Sequence, residues 1–465
     1  MSTAERRGFR MPPTLALVFA LVALAIVLAW VVPSGSFEYV LRDGKQIAVA
    51  GTYHAVPKQA PGPQMLLIAP IRGFQQGAEL IAFLLIIGGA FQVLAETGAV
   101  ESGIRKLAAF LATRPQLEGL FIPAMMTVFS LAGAVFGMSE EVIPFVLLFV
   151  PLSRRLGYDA LVGVSIPFLG AAAGFAAAFF NPFTVGIAQQ LSGLPAFSGL
   201  GYRLVTWVIG TAVVIAFVVR YARKIKRDPS LSPIADLEQA AEAAADHGPA
   251  ETTSRQKVVL ALFGLTMVLL VWGILKYQWF FTEIAALFLA MGLVLGIVGG
   301  LGADRICRAV VTGAKDMISV ALVVACAKAL LIIAKDAHIL DTMLHYAASG
   351  VSHLPRAVTA QMMFLTQATL NFFIHSGTSQ AALTMPVMAP LADLTGITRQ
   401  TAVYAFQLCE FVNPILPTSA VTMGVLGAAK LPWERWAKWF APLMGILLVL
   451  CLLLLLPPVL LFDYR

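Results

Sequence analysis

The stretch Phe180-Asn181-Pro182-Phe183-Thr184 lies at the end of an apolar run, and Val412-Asn413-Pro414 repeats its Asn-Pro pair 232 residues further along the chain. Proline removes a backbone donor, and its ring clashes with the carbonyl of the preceding helical turn. An α-helix therefore cannot continue undisturbed through either pair. Each pair predicts an interrupted helix within an apolar segment. The free-energy cost of leaving backbone groups without hydrogen bonds at such an interruption depends on the surrounding solvent.

The amino-acid composition identifies that solvent as a lipid bilayer. Of the 465 residues, 59% are apolar and only 12% are charged, with a mean hydropathy of +0.84. Soluble domains carry about 25% charged residues and roughly 45–50% apolar residues. The composition excludes a disordered chain, a collagen and a secreted disulfide scaffold. The four cysteines have no metal-ligand spacing and are predicted to be small buried hydrophobes.

The amino-terminal region predicts a retained membrane helix. Three arginines precede an apolar run from Thr14 to Val32, which is longer than the apolar region of a signal peptide. We expect the amino terminus to be cytoplasmic, in a bacterial inner membrane. Residues 34–63 are then outside, with a small hairpin at 41–46, and the polar stretch 228–256 is a cytoplasmic linker.

Several later apolar runs are too short to cross a bilayer alone. They have about 10–14 residues, whereas a spanning helix needs about 20, so we expect half-helices or re-entrant hairpins. If 116–135 and 142–152 form one hairpin entering from the cytoplasm, 21 Lys and Arg residues lie inside and ten outside, with Lys328 in a span. This bias supports the assumed orientation.

The two halves of the chain match at offsets between 232 and 240 residues. Coincidence among Gly- and Pro-rich helices is the alternative, but the matches keep their order. In the predicted topology the two copies have opposite orientations, an arrangement that secondary transporters use to expose one site to each side in turn. The matches are Gly137-Met138-Ser139-Glu140 with Gly377-Thr378-Ser379-Gln380, Gly157 with Gly396, Asn181-Pro182 with Asn413-Pro414, Arg203 with Arg435, and Trp207 with Trp439.

The resulting division of the chain has five parts. They are an amino-terminal helix and outer loop (1–75), a first repeat (76–227), the linker (228–256), scaffold helices (257–315) and a second repeat (316–465). The predicted fold class is an all-α polytopic membrane protein with two inverted repeats, each having a re-entrant hairpin and a broken helix.

The four interruptions give the candidate binding site. Non-helical backbone at membrane depth persists only where it lines a cavity or coordinates something. Its carbonyls suit a hard cation, and half-helix amino ends suit a carboxylate. The alternative is that Asn-Pro and Gly-Ser merely kink packed helices. The candidate substrate-binding residues are Ser139, Glu140, Glu141, Asn181, Thr184, Ser376, Thr378, Ser379, Glu410, Asn413 and Thr418, with sodium expected near Gly137, Ser139 and Asn181 and near Gly377, Ser379 and Asn413.

The carboxylates within the apolar runs need an explanation, because a charge at the bilayer centre costs about 2.5–3.5 kcal/mol. Glu140, Glu141 and Glu410 can bind a substrate ammonium or guanidinium, hold a coupling cation or relay a proton. The structural alternative is a salt bridge, for which Lys328 is the available partner. His375 is either a proton-sensitive tip residue or a satisfied helix-end histidine.

The tryptophans near the carboxyl terminus predict a membrane anchor. Trp433, Trp436 and Trp439 alternate with Arg435 and Lys438. This mixture of aromatic and basic side chains is typical of the membrane–water interface. We therefore interpret these tryptophans as interfacial and not as part of a binding site.

Several short stretches resemble the YfcC-type carriers of the C4-dicarboxylate anaerobic carrier (DcuC-like) family. The resemblance covers nearly the whole chain. It implies the fold of the ion transporter superfamily, with a dimerising scaffold and an elevator-like transport subdomain. The stretches are Gly51-Thr52-Tyr53, Gly137 to Glu141, Gly157-Tyr158-Asp159-Ala160, Asn181 to Thr184, Tyr221 to Pro229, and His375 to Ser379 with Asn413-Pro414.

The resemblance also implies cation sites at the hairpin tips and broken helices, often built from Ser-Asn-Thr triplets. This chain has no such triplet, because its tips are Met138-Ser139-Glu140 and Gly377-Thr378-Ser379. Coupling to protons is therefore an alternative to coupling to sodium. Family members are associated with dicarboxylates and with basic amino acids, and the midplane glutamates favour an amino acid.

Other protein classes fit less well. The sequence has no His-Glu-x-x-His pair and no oriented partner for His375 beside Ser376, so we predict that the chain is not an enzyme. We expect no organic cofactor and no nucleic-acid partner. A channel would pass ions without a substrate gradient. The prediction is a homodimeric carrier in the bilayer for a small carboxylate-bearing metabolite, by exchange or by symport with Na⁺ or H⁺.

Overall fold

The computed structural model describes residues 14–42, 45–49, 51–243, 253–277, 279–351, 354–462 and 464. Within them, eight helices are long and apolar enough to cross a membrane. The chain is thus a polytopic helical membrane protein, as its composition predicts. The amino-terminal arginines, the two turn residues of the predicted hairpin at 41–46 and residues 244–252 of the linker lie outside the described residues.

The order of elements follows from the apolar runs and their Gly and Pro boundaries. The helices are α1 Thr14–Val31, α2 Met65–Gln76, α3 Ala78–Glu96, α4 Ala99–Ala112, α5 Pro115–Phe136, α6 Ile143–Arg155, α7 Ala160–Ala176, α8 Ile187–Leu191, α9 Leu200–Arg227, α10 Ala235–Ala243, α11 Ser254–Tyr277, α12 Phe281–Val298, α13 Ala303–Asp336, α14 Ile339–Val351, α15 Arg356–Asn371, α16 Gly377–Leu394, α17 Arg399–Leu408, α18 Ala420–Ala428, α19 Trp433–Leu454 and α20 Pro457–Leu460. Tighter 3₁₀ turns cover Glu140–Val142, Pro229–Leu231 and Cys409–Ile415, and a π-helical turn covers Pro182–Gly186.

The polar outer loop contains two small antiparallel pairs of strands. The strands are β1 Gly35–Ser36, β2 Tyr39–Arg42, β3 Lys45–Ala48 and β4 His54–Ala55, with β1 paired to β4 and β2 to β3. The hydroxyl of Tyr39 donates to Asp341 Oδ1 at 2.6 Å, which ties the β2–β3 pair to α14. The predicted hairpin is therefore present and docked on the helical body.

The same sequence of elements occurs twice. In each copy two helices meet at a non-helical tip, a helix interrupted at Asn-Pro follows, and a longer helix completes the unit. The first copy runs from α5 to α9 and the second from α15 to α19. The interruptions predicted at Asn181 and Asn413 are present. The opposite orientation of the copies and an elevator motion remain predictions.

The long helix α13 is the centre of the packing. It packs against α2, α3 and α1, and its middle, at Val320, contacts Gly427 of α18. Close approach depends on small residues: a Cβ added to Gly73 would lie 2.0 Å from the Ala325 carbonyl oxygen, and one on Gly313 would lie 2.1 Å from that of Gly88. Such contacts are characteristic of helix packing in membranes.

The linker is partly structured and attached to the helical body. Its helix α10 carries Asp236 and Glu238, which form ion pairs with Arg435 at 3.1 Å and Arg154 at 2.8 Å. Because Arg154 ends α6 and Arg435 begins α19, the linker helix joins the two copies on one face. The sequence predicted a polar linker there but not this helix.

Candidate functional site

The first hairpin tip reverses direction at Gly137, whose φ of +73° is unfavourable for other residues. Its neighbour Ser139 donates its backbone N–H to Glu141 Oε2 at 2.9 Å, so the Glu141 carboxylate folds back on the tip. Glu141 is buried, whereas Glu140 is half-buried. A Cβ on Gly137 would lie 2.9 Å from Asn181 Oδ1. The tip therefore lies directly against the first broken helix.

The side chain of Asn181 stabilises the first interruption. Its side-chain oxygen accepts the backbone N–H of Phe183 at 2.9 Å, which caps the π-helical turn. Asn181 is fully buried, and its Nδ2 has no partner among the described residues; the same is true of Thr184 Oγ1. Buried polar atoms without partners are uncommon in proteins. This break holds free polar atoms but no ionisable side chain between Asn181 and Leu191.

The second hairpin tip is held by an amide network. Gln380 donates through Nε2 to Gln367 Oε1 at 2.8 Å and accepts from Asn371 Nδ2 at 3.0 Å. Beyond the network, the hydroxyl of Thr378 donates to the Phe183 carbonyl at 2.9 Å. The second tip is thus bonded to the first broken helix, which brings the two copies together at the site.

The second interruption contains a buried carboxylate. Glu410 is only 2% exposed, and its Oε2 accepts a hydrogen bond from Asn413 Nδ2. Its Oε1 and the Asn413 Oδ1 have no partner among the described residues. A Cβ on Gly377 would lie 2.6 Å from Thr184 Cγ2 and 3.2 Å from Glu410 Oε1, so the second tip packs closely against this oxygen. The arrangement leaves one buried carboxylate oxygen of a cavity-lining residue without a hydrogen bond among the described residues.

Two tryptophans hold the backbone of the second interruption. Trp436 Nε1 donates to the Pro414 carbonyl at 2.7 Å, and Trp433 Nε1 donates to that of Ile415 at 3.0 Å. Trp436 is fully buried and Trp439 is 8% exposed. The interpretation of these tryptophans as interfacial anchors is therefore wrong for Trp436 and Trp439. Trp436 packs against the break, whereas Trp439 packs against Phe217 and Tyr221 of α9, and a mixture of Trp and basic residues does not reveal this packing.

The tips and the second break enclose a cavity. The space that protein atoms leave free is about 480 Å³, its opening included. Apolar walls come from α7, through Phe168 and Phe175. The polar lining comprises Ser139, His375, Glu410, Asn413, Ser419 and Thr422.

Helix amino ends contribute to the same cavity. Ser419 caps α18 by accepting the Thr422 N–H at 3.3 Å, which leaves the amides of Ala420 and Val421 at the first turn without an acceptor in the described chain. Free amides at a helix amino end carry partial positive charge and attract anions. The cavity therefore offers a carboxylate and an anion-binding helix end together.

Lys328 provides a further charge near the site. It lies in α13, and its charge acts on both Glu140 and His375. Within the described part of the chain it forms no ion pair, so the predicted salt bridge with a buried glutamate is not made. His375 instead shares a hydrogen bond of 2.7 Å between its Nε2 and the Thr418 hydroxyl.

The candidate residues named from sequence occupy different positions around the cavity. Ser139, Glu410 and Asn413 line it, and Thr418 supports His375, which also lines it. Asn181 lies where the first break meets the first tip, Thr184 and Thr378 lie where the first break meets the second tip, and Glu140 and Glu141 lie at the first tip itself. Ser376 and Ser379 are exposed, with Ser376 Oγ accepting the Ser379 N–H at 3.4 Å as a helix cap.

Two lining residues, Ser419 and Thr422, were not among the predicted ones. They follow the second Asn-Pro pair in a Thr-Ser-x-x-Thr pattern, and a Ser at the start of a helix is a recognisable cap signal. The described residues contain no group of three or more His, Cys, Asp or Glu side chains that could hold a metal ion. A sodium site built from carbonyl and hydroxyl oxygens remains a prediction.

A polytopic helical protein whose interrupted helices meet around an internal polar cavity has the architecture of a secondary transporter. Comparison with known proteins then gives the family. The chain belongs to the C4-dicarboxylate anaerobic carrier (DcuC) family, whose model matches residues 11–459. The resemblance recognised from the sequence is confirmed, and the chain is a transporter and not an enzyme.

Two curated relatives match almost the whole chain. One, named "Putative basic amino acid antiporter YfcC", is from Escherichia coli and is 37% identical, covering 96% of this chain and 95% of its own. The other is an uncharacterised protein of Haemophilus influenzae, 28% identical over 99% of both chains.

Two solved transporters align over most of the chain, each with a TM-score of 0.40. They are YdaH of Alcanivorax borkumensis, 16% identical and covering 96% of this chain and 97% of that one, and MtrF of Neisseria gonorrhoeae, 15% identical and covering 98% and 96%. The second structure is described as representing a class of antimetabolite efflux pumps.

Proposed function

We propose that this transporter exchanges amino acids with cationic side chains across the cytoplasmic membrane. One observation carries the proposal: Glu410 Oε1 is buried and has no hydrogen-bond partner among the described residues, and Glu410 lines the cavity between the tips. Leaving a carboxylate oxygen unpaired in an apolar environment is costly. A substrate ammonium or guanidinium would satisfy it with a charge-assisted hydrogen bond.

The amino end of α18, which also lines the cavity, suits the α-carboxylate of an amino acid. The free amides of Ala420 and Val421 and the amino end of α18 would bind it, while Ser139 and Asn413 supply neutral polar contacts. A molecule that has both a carboxylate and a cationic group could bind the amino end of α18 with the first and Glu410 with the second. The relative named as a basic amino acid antiporter supports the same class of substrate.

In the transport cycle we propose, the two copies form inverted repeats and the chain forms a homodimer. The copies exchange conformations so that the cavity opens to each side in turn, with the amino terminus cytoplasmic. Because Lys328 lies near Glu140 and His375, we infer that its ammonium group balances the negative charge of the site when no cationic substrate is bound. Exchange of cations across the membrane then needs no sodium, whereas net uptake would be coupled to Na⁺ or H⁺.

Counterflow in liposomes tests this function. Purified protein is reconstituted in vesicles preloaded with arginine, ornithine or lysine, or with succinate or fumarate, and entry of the labelled partner is measured at two pH values with and without sodium. We expect basic amino acids alone to exchange, without a sodium requirement. Exchange of dicarboxylates but not of basic amino acids would overturn the assignment.

A dicarboxylate carrier is the second candidate function, favoured by the description of the family itself. In that case Lys328 and the amino end of α18 would each bind one carboxylate. Glu410 would then have to be protonated, since an ionised carboxylate would repel the substrate. Dicarboxylate exchange that increases as the pH is lowered would support this candidate over the first.

A further inference from the structure

A basic groove lies at the end of α9, away from the cavity between the tips. The helix has 28 residues and is about 42 Å long at 1.5 Å per residue, whereas the hydrocarbon core is about 30 Å thick. About eight residues therefore extend beyond the core. If the apolar part of α9 fills the core, the segment at headgroup depth begins near Arg220.

The groove combines an apolar end with a basic end. Ala216 and Val219 line one end, and Arg220, Arg223, Lys224 and Arg227 line the other. The spacing of these residues, at three and four positions, places them on one face of the helix. The free space alongside is about 1220 Å³, its open side included. Such a gradient from apolar to basic along the membrane normal matches the acyl chains and headgroup of a lipid.

The four cations have no counterions in the described residues. All four are exposed, and none forms an ion pair with an acid in the part of the chain that the structure describes. Acids do occur nearby on α10, but Asp236 pairs with Arg435 and Glu238 pairs with Arg154. The one acid that lines the groove, Asp228, accepts the N–H and hydroxyl of Ser230. Within the described residues the lining therefore has four cations against one acid, Asp228, and carries a net positive charge.

The wall of the groove opposite α9 is held in place. Leu231 forms part of this wall, and the next residue, Ser232, donates its hydroxyl to Asp159 Oδ2 at 2.7 Å. Asp159 also accepts the Tyr221 hydroxyl at 2.5 Å and the Val162 N–H at 3.0 Å. This buried carboxylate connects α7, α9 and the segment after α9. The groove is therefore formed by the fold and not by the flexible ends of long side chains alone.

The geometry points to a binding site for an anionic phospholipid headgroup in this groove. Arginine guanidinium groups bind phosphate oxygens bidentately, and basic pockets beside membrane helices recognise lipids with phosphate headgroups. The cations extend from Arg220 to Arg227, about 10 Å along the helix, which fits a headgroup with two phosphates better than one with a single phosphate. Cardiolipin has this chemistry.

Lipid titration of the purified full-length protein in detergent tests the site. Thermal stability and native mass spectrometry are followed with cardiolipin, phosphatidylglycerol, phosphatidylcholine and inorganic pyrophosphate. We expect cardiolipin to bind most tightly and phosphatidylcholine not to bind specifically. With Arg220→Gln/Arg223→Gln, cardiolipin affinity should fall about 10- to 30-fold, because each surface cation contributes about 1 kcal/mol.

Two further variants separate lipid binding from a role of these residues in topology alone. Arg220→Lys/Arg223→Lys keeps the charge and should still lower affinity about 3-fold, since lysine cannot bind phosphate bidentately. Arg255→Gln/Lys257→Gln removes two exposed cations in the first turn of α11 and should change cardiolipin affinity less than 2-fold. Equal losses in the groove and control variants would overturn the site. Pyrophosphate binding as tight as cardiolipin would overturn its assignment to a lipid.

Discussion

The two interrupted helices share an Asn-Pro signature but have different chemistry. At the first, Asn181 uses its side-chain oxygen to cap the turn that it interrupts, and no ionisable group follows before α8 ends. At the second, Asn413 donates to Glu410, and two tryptophans bind the following carbonyls. Both copies thus contain an interruption, whereas only the second interruption has a carboxylate side chain, Glu410. We infer that the second break binds substrate and that the first positions the second hairpin tip.

Replacing the charge at the second break should have the largest effect. Glu410→Gln keeps the shape and the bond to Asn413 but removes the charge that would bind a cationic substrate. Exchange of basic amino acids should fall at least about 100-fold, the cost of leaving a buried charge unpaired. Counterflow in liposomes measures this loss.

Glu434→Gln is the matched control for Glu410→Gln, because Glu434 lies at the start of α19, outside the cavity. It should exchange at the rate of the unmodified protein. If Glu410→Gln retained exchange within 3-fold of that rate, the second break would not be the cation-binding half of the site.

The two asparagines should give different kinetic results. Asn413→Ala removes the donor to Glu410 and should raise the KM of exchange about 10-fold. Asn181→Ala removes a cap worth about 1 kcal/mol and should lower the melting temperature with KM unchanged. Exchange kinetics and thermal unfolding of both variants separate these outcomes. A higher KM in both variants would mean that the two breaks contribute equally to binding.

Replacing the tryptophans that bind the second break should have a smaller effect, and this effect is on stability. Trp436→Phe leaves the Pro414 carbonyl buried without its donor, which should cost about 1–3 kcal/mol. Trp433→Phe should cost less, because Trp433 is half-buried and water can replace its hydrogen bond. Unfolding of both variants in the same detergent compares them. A greater loss for Trp433→Phe would contradict the assignment of Trp436 as the main support of the break.

The sequence could predict the fold to the extent that local signals decide it. Proline inside apolar runs, glycine at the tips and runs shorter than a bilayer place the interruptions correctly. The membrane environment follows from composition alone. The helix α10 was missed because an alanine-rich acidic segment is equally typical of a linker, and its ion pairs with Arg154 and Arg435 are long-range.

The site could be predicted only in part. Glu140 and Glu141 are adjacent and identical in sequence, yet only Glu141 folds back to accept the Ser139 N–H. No local pattern distinguishes them. The bond from Gln407 on α17 to the Phe175 carbonyl on α7 joins residues 232 positions apart, and nothing near either residue signals it. Tertiary contacts decide such cases, as they do for Trp436.

The turns between hairpin and broken helix have the same geometry in the two copies. Gly157 and Gly396 each follow a helix by two residues, with φ values of +80° and +72°. In both turns the next residue bonds back to the helix, Tyr158 N–H to the Ser153 carbonyl at 2.9 Å and Ile397 N–H to that of Ala392 at 3.0 Å. This pattern is the helix-ending motif that favours glycine.

Alanine at these two glycines should therefore have small and equal effects. A left-handed conformation costs alanine about 1–2 kcal/mol, and no neighbour lies within 3.4 Å of a Cβ added at either position. Gly157→Ala and Gly396→Ala should lower the free energy of unfolding by the same amount, within about 0.5 kcal/mol, and leave KM unchanged. Chemical denaturation and counterflow check both values. Unequal losses would show that the copies differ in their turns as well as in their breaks, so the asymmetry would no longer be specific to the site.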